Sequence, residues 1–225
     1  MWCVPRIDRE YVARMRDVLR LYARPYDPKQ PVVVLDERPT PLRGPARPDI
    51  PMRPGHPRRR DYEYVRRGTA NVFCIVEPKG GRHFTHATAN RKKPAFVAAL
   101  KKISRAYPDA RRIHLVVDNL NTHSPKALID VLGDNQGQAL AKRFRFHYTP
   151  KHASWLNVAE IEASLLSREC LGRDRIGSLR ELRQRVTPWN RSATRRKRCI
   201  QWRFTVRDAA RVFGADWFNN LATEH

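Results

Sequence analysis

The sequence predicts an α/β fold, with a sheet flanked by helices, and three observations predict it. Two short apolar runs, Val32-Val33-Val34-Leu35 and Ile113-His114-Leu115-Val116-Val117, have the near-continuous character of strands covered on both faces. Two further β-like segments on either side of Pro78-Lys79-Gly80-Gly81 read as an antiparallel hairpin. Amphipathic stretches with helical spacing separate these strands.

The first such stretch, Asp8 to Tyr22, carries Val12, Met15, Val18, Leu19 and Tyr22 on one side, with Asp8 placed to cap it. Pro25-Tyr26-Asp27-Pro28 stops it. Strand 32–35 follows and ends at Asp36-Glu37. From Pro39 to about Arg67 the composition changes: Pro39, Pro41, Pro45, Pro48, Pro51, Pro54 and Pro57 alternate with arginines, culminating in Arg58-Arg59-Arg60. Proline removes donors and fixes φ, so no regular element is expected there. The stretch reads either as a basic linker or, because it interrupts a domain between two strands, as an ordered arm that touches nucleic acid or a second subunit.

Next come the hairpin (Asn71 to Val76 and Arg82 to Ala87) and a helix from Lys93 to Tyr107 built on Phe96, Val97, Leu100 and Ile103. The buried strand 113–117 ends at Asp118. A helix from Ser124, its expected cap, to Leu132, a strand from Phe144 to Tyr148 and a helix from Trp155 to Leu171 complete the domain. The tail holds helical stretches at Ser178 to Trp189 and Thr205 to Phe213, separated by the basic run Arg195-Arg196-Lys197-Arg198.

The chain has 225 residues, 41% of them hydrophobic, enough for one sizeable core. Its 45 Lys+Arg against 22 Asp+Glu give a formal net charge of +23. That excess suits a polyanion whose counterions are released on binding, nucleic acid first and an anionic membrane surface second. No run approaches the roughly 20 apolar residues of a spanning helix, and no signal-peptide core begins the chain. A soluble, cytoplasmic protein with no membrane partner is expected. Cys3, Cys74, Cys170 and Cys199 form no Cys-x-x-Cys pair and read as reduced, mostly buried thiols rather than a zinc or disulfide framework.

The chemistry is carried by carboxylates. Two buried strands each deliver an aspartate, Asp36 and Asp118, at the carboxyl end, where an ionised group is costly unless it is paired or holds a cation. Hard divalent cations take oxygen ligands and share them with phosphates. A third ligand is offered by Glu160, Glu162 or Glu169 on the helix after Trp155. Glu160 lies on a face of mostly small residues and is mildly preferred, but periodicity does not decide among them. Asn119, His123 and Asn157 are candidates to orient a ligand; for Asn119 and His123 a DNA contact and a purely structural turn are equally open. His152 is similar, and Trp155 reads as core packing.

The blocks Pro31-Val-Val-Val-Leu-Asp-Glu37, Arg67-Gly-Thr-Ala-Asn71, Asp118-Asn-Leu-Asn-Thr-His123 and Tyr148-Thr-Pro-Lys-His-Ala-Ser-Trp-Leu-Asn-Val-Ala-Glu160 resemble the bacterial insertion-sequence transposases related to mariner elements. The resemblance runs from Trp2 to about Phe213. Its most specific block is Ser-Trp-Leu-Asn-x-x-Glu, following Asp-Asn-x-x-Thr-His.

That resemblance implies a ribonuclease-H-like mixed sheet flanked by helices, with a Pro/Arg-rich insertion after the first strand. It implies the catalytic triad Asp36, Asp118 and Glu160 holding two Mg²⁺ ions, with Mn²⁺ able to substitute, for cleavage and strand transfer in cut-and-paste transposition. The expected organisation is an N-terminal helix and linker (1–30), a catalytic domain (31–175) with a clamp-like insertion (39–67), and a C-terminal helical extension (176–225). The expected partners are double-stranded DNA, both transposon ends and target, at a TA step, and a second copy in a homodimer. Arg58, Arg59, Arg60, Arg195, Arg196, Lys197 and Arg198 are the expected DNA contacts. Two departures stand out. Asp118 and Glu160 are slightly farther apart than in the family, which suggests an extra loop at Gly133 to Gln138. The chain also begins about 35 residues before Asp36, without the helix-turn-helix modules that read the element's ends. A separately encoded recognition half or a truncated copy is therefore expected. The rival readings are a non-mobile DNA-binding remnant and another nuclease on the same fold.

Overall fold

The computed structural model describes residues 7–172 and 174–214. The reading of Cys3, and residues 215–225 of the C-terminal extension, lie outside the described residues.

A five-stranded sheet forms the centre: β1 (Val32–Pro45), β2 (Tyr64–Glu77), β3 (Arg82–Thr88), β4 (Ile113–Val117) and β5 (Phe144–Tyr148), in the order β3-β2-β1-β4-β5. β1, β4 and β5 run parallel, while β2 and β3 are antiparallel neighbours on the other side. The helices are α1 (Arg9–Ala23), α2 (Lys93–Ala106), α3 (Pro125–Leu132), α4 (Asp134–Ala141), α5 (Ala159–Leu166), α6 (Leu179–Arg196) and α7 (Val206–Phe213). This is the mixed, helix-flanked sheet expected from the resemblance.

Strand alternation divides the burial between two faces. Val33, Leu35, Phe73, Ile75, Ile113, Leu115 and Val117 pack under α2 and α3. Val34, Val76 and Val116 point the other way, against α1, Leu156 and Ala159. Farther out on that sheet, Val72, Cys74 and Ala87 are covered by Leu166 and by Leu182, Val186 and Trp189 of α6. α1 starts where Asp8 accepts from the Tyr11 amide at 2.8 Å. α7 starts with a reciprocal Thr205–Asp208 capping box.

Several expectations need correction. β1 does not end at Glu37, and the Pro/Arg-rich stretch is not devoid of regular structure: β1 and β2 continue as a two-stranded ribbon to Pro45 and from Tyr64. The His114 amide donates to the Pro31 carbonyl, so odd-numbered β1 residues direct their backbone polar groups toward the β4 side. Pro39 and Pro41 share that parity and lie beyond the end of β4, so their missing donors break no ladder bond. Only residues 46–63, at the tip, lack ladder pairing, and isolated bridges Ile50–Arg59 and Arg53–His56 tie them together.

The expected extra loop at Gly133 to Gln138 is instead most of α4. Gly133, at φ 77°, separates it from α3. Gly137 lets the two helices touch, because a Cβ there would lie 2.6 Å from the Ile129 Cα. Ser124 precedes α3 but makes no side-chain cap bond. α6 does not stop at Trp189; it passes through Pro188 and includes Arg195 and Arg196 of the basic run. The helix after Trp155 is broken into a 3₁₀ turn (Ser154–Leu156), α5 and a π turn (Ser167–Leu171). Cys74 is buried, Cys170 half-buried and Cys199 exposed, and all three are free thiols.

Candidate active site at the carboxyl ends of two parallel strands

The parallel register pairs Val32 with His114 and Val34 with Val116. Two residues further on, the same offset brings Asp36 level with Asp118, and strand alternation gives Asp36 the face of Val34, on which α5 packs. Asn157 fixes the approach of α5: its Nδ2 donates to the Leu35 carbonyl at 3.2 Å, while its Oδ1 accepts from the Ala159 amide at 3.1 Å. One buried amide thus joins the start of the helix to the strand one residue before Asp36.

Asp36 is half-buried and accepts one hydrogen bond, from the Glu37 amide at 2.9 Å. Burial, only partly offset by that amide, and the neighbouring charges of Glu37, Glu160 and Asp118 push its carboxyl up to about 7. Glu160 is exposed, and its charge is felt at Asp36. Among the described residues, no arginine or lysine forms an ion pair with Asp36, Asp118 or Glu160. Arg38, two residues along the same strand face, makes none.

His123 is fully buried between two acids. Its Nε2 lies 2.5 Å from Glu37 Oε1, its Nδ1 lies 2.5 Å from Asp118 Oδ1, and its ring packs tilted against Phe96 with the centroids 4.5 Å apart. Ionised carboxylates only accept, so both ring nitrogens donate and the ring is an imidazolium. Burial opposes the charge, but the bonds to Asp118 and Glu37 prevail and raise the pKa to about 9. Glu37, Asp118 and His123 are the one set of three potential ligands whose atoms lie within 4.8 Å of one another among the described residues. With both ring nitrogens protonated this set is an ion-paired chain rather than a ligand set, and it leaves Asp118 Oδ2 available.

The other acids of the α5 segment are engaged elsewhere. Glu162 is fully buried and meets His83 Nδ1 at 2.7 Å, and His83 Nε2 meets the Arg198 carbonyl at 2.7 Å. Glu169 accepts from Trp189 at 3.0 Å and from both terminal nitrogens of Arg198 at 2.7 and 3.1 Å. Of the three acids that periodicity left open, Glu160 is the one whose side chain makes no such bond among the described residues.

The remaining candidates divide. Asn119 is exposed. Arg58 pairs with Asp49, Arg60 lies near Asp49 and Asp174, and Arg198 is held by Glu169. Arg59, Arg195, Arg196 and Lys197 are exposed. Trp155 stacks on Trp202 at 6.2 Å and meets Phe204 edge-on, as expected of packing. Sequence reasoning did not single out Glu37 or His83. The available signal for Glu37 was strand alternation, which puts it on the face opposite Asp36; nothing local marks His83.

Divalent cations fit the donor set of Asp36, Asp118 and Glu160: all ligands are carboxylate oxygens, and a half-buried acid is crowded by like charge without a compensating side chain.

Residues 31–183 match the family model described as DDE superfamily endonuclease. The search against curated proteins returned no match. Among solved structures, the chain resembles the Mos1 mariner paired end complex with Mn at TM-score 0.55 and 16% identity, covering 88% of this chain and 60% of that one. The corresponding complex with Mg gives 0.53 and 15%, over 99% of this chain and 65% of that one. The Mos1 strand transfer complex gives 0.53 and 17%, over 85% and 57%. The chain thus spans about three fifths of the length of these relatives, and at such identities the likeness establishes the fold.

Proposed function

The chain belongs to the DDE superfamily endonucleases, and from that premise we propose that it is the catalytic domain of a cut-and-paste DNA transposase from a bacterial insertion sequence related to mariner elements. The observation that carries this reading is the alignment of Asp36 with Asp118 on adjacent parallel strands, with the charge of Glu160 acting on Asp36. Structures titled as Mos1 paired end and strand transfer complexes share the fold.

In this reading Asp36, Asp118 and Glu160 hold two Mg²⁺ ions, with Mn²⁺ as a substitute. Two such ions would activate the attacking oxygen, first of water and then of a DNA 3′-hydroxyl, and neutralise charge on the leaving oxygen. The protein's own contribution is placement. Asn157 sets the distance from α5 to β1, and His123 holds Asp118 in one orientation from the side away from the substrate. Fixed geometry of this kind lowers the cost of assembling the reacting groups. Double-stranded DNA is the substrate, as transposon ends and as target at a TA step. Arg59, Arg195, Arg196 and Lys197 present free positive charge to it, while Arg58, Arg60 and Arg198 would have to exchange a carboxylate for a phosphate. The ribbon arm serves as a clamp against DNA or a second copy in a homodimer. The protein works at the bacterial nucleoid.

The test is nicking and strand transfer on a labelled duplex carrying a transposon end. Activity should require Mg²⁺ or Mn²⁺, stop with chelator and fall by on the order of 10³-fold in Asp118→Asn. Undiminished cleavage in excess EDTA would sink the proposal.

A further inference from the structure

The base of the ribbon arm meets the start of α6 in a cleft lined by six arginines: Arg43, Arg58, Arg60, Arg67, Arg175 and Arg185. Three carboxylates, Asp49, Asp174 and Glu181, share the cleft and are already engaged by Arg58, Arg60 and Arg185. Arg43, Arg67 and Arg175 have no carboxylate partner among the described residues. The guanidinium of Arg43 lies 4.8 Å from the centre of the Tyr64 ring and that of Arg175 lies 5.4 Å from it. Arg175 is held there by the carbonyls of Glu63 and Tyr62, at 2.6 and 2.7 Å.

Arg67 lies across Gly44, where a Cβ would fall 2.4 Å from its Nε. Its Nη1 comes within 3.8 Å of where a Cβ on Gly177 would sit. Glycine at 44 therefore leaves room for the guanidinium to lie against the ribbon. The amides at the start of α6 are not the attraction: Ser178 and the Glu181 carboxylate already accept from Glu181 and Gly177. Gathering like charges around one aromatic ring costs stability unless an anion completes the arrangement, and planar guanidiniums match phosphate oxygens two at a time.

We propose that this cleft is a second DNA contact, a seat for phosphodiester groups in the flank of the duplex, with Arg43, Arg67 and Arg175 as its phosphate-binding groups. This rests on the reading of the chain as a DNA-acting transposase domain. Arg43 stands seven residues beyond Asp36 on β1, or roughly 24 Å at ordinary strand rise, so the cleft grips DNA away from the reacting phosphate.

The double variant Arg43→Gln/Arg67→Gln tests it, against a control that removes the same charge elsewhere, Lys126→Gln/Lys142→Gln on the α3–α4 face. All these residues are exposed, and melting temperatures should match wild type within about 2 °C. Affinity for a labelled 30-base-pair duplex is read by anisotropy across a salt series. The cleft variant should bind about tenfold more weakly at low salt, with a log–log salt slope shallower by about two units, one per lost phosphate contact. The control should keep the wild-type slope. A wild-type slope in the cleft variant overturns the cleft alone, and so does an equal change in the control. A wild-type chain with no measurable affinity for the duplex overturns the DNA-acting reading and the cleft with it.

Discussion

Glu160 and Glu162 stand two residues apart on α5 and are treated in opposite ways. Glu162 is buried without any exposure and bonded to His83, whose other nitrogen donates to a carbonyl. His83 Nε2 donates to that carbonyl; burial works against a charge on the ring, but its hydrogen bond to Glu162 raises its pKa above the ordinary value. Glu160 has no such partner and adds its charge to the crowding at Asp36. A buried acid beside its own cation is structural support. Asp36 and Glu160 have no such cation beside them among the described residues, whereas Asp118 has His123.

The comparison breaks most visibly in catalysis. Glu160→Gln should reduce metal-dependent DNA nicking by on the order of 10³-fold, whereas Glu162→Gln, which can still accept from His83, should stay within about tenfold of wild type. The reverse ranking in a single-turnover assay would exchange their roles.

Stability should rank them the other way. His83→Ala leaves the Glu162 carboxylate buried and unpaired, an expected loss of about 3–5 kcal/mol and a melting temperature lower by about 10 °C. Glu160→Ala, at an exposed position, should change stability by less than about 0.5 kcal/mol. Calorimetry of the two variants checks this.

The third test concerns the unpaired cluster itself. A carboxyl raised from 3.8 to about 7 on folding holds its proton more tightly in the folded chain. The folded state therefore loses stability as pH climbs through that window. Asp36→Asn should remove the loss and be more stable than wild type by about 1–3 kcal/mol in metal-free buffer at pH 7.5. Saturating Mn²⁺ should stabilise wild type by about 2–3 kcal/mol at a hundredfold over its dissociation constant and the variant by much less. A wild type whose melting temperature does not respond to Mn²⁺ would separate these carboxylates from metal binding.

The smallest effect lies on the other side of the sheet centre, in a chain of polar groups. Arg24 approaches His114 Nε2 at 3.0 Å, His114 Nδ1 meets His147 Nε2 at 2.9 Å, and His147 Nδ1 meets Asp17 at 2.6 Å. Arginine only donates, so His114 Nε2 accepts from Arg24 and His114 Nδ1 is the nitrogen that meets His147. Burial, then the charges of His147 and Arg24, lower His114 to about 4. The unfolded chain takes up this proton first, so stability is lost as pH falls from 6.5 toward 4. Melting temperature should drop by a few degrees across that window, and His114→Gln should flatten the drop.

Much of this was legible in the residues. The runs Val32 to Leu35 and Ile113 to Val117 announce strands covered on both faces, and each leads directly into an aspartate. The amphipathic patterns of α1 and α2 match their helices because each buries one stripe against the sheet, and that of α7 because it packs on α1. The ribbon arm was not legible. Pro39 and Pro41 look prohibitive until the pairing shows that their nitrogens face a side with no neighbour. α4 was missed because Gly133 and Gly137, which read as loop, are used for a break and for helix contact.

The sequence by itself determined the two apolar strand segments that lead into Asp36 and Asp118 and the large positive charge, because these are properties of local pattern and composition. The tertiary structure alone decided which of the two acids on α5 is buried against a histidine and which is left exposed. Helical spacing leaves Glu160 and Glu162 nearly equivalent, and the choice is made by His83, about 80 residues away in sequence, and by Asn157 holding α5 to β1. A buried charge settles where its counter-charge is, and only folding brings that counter-charge near.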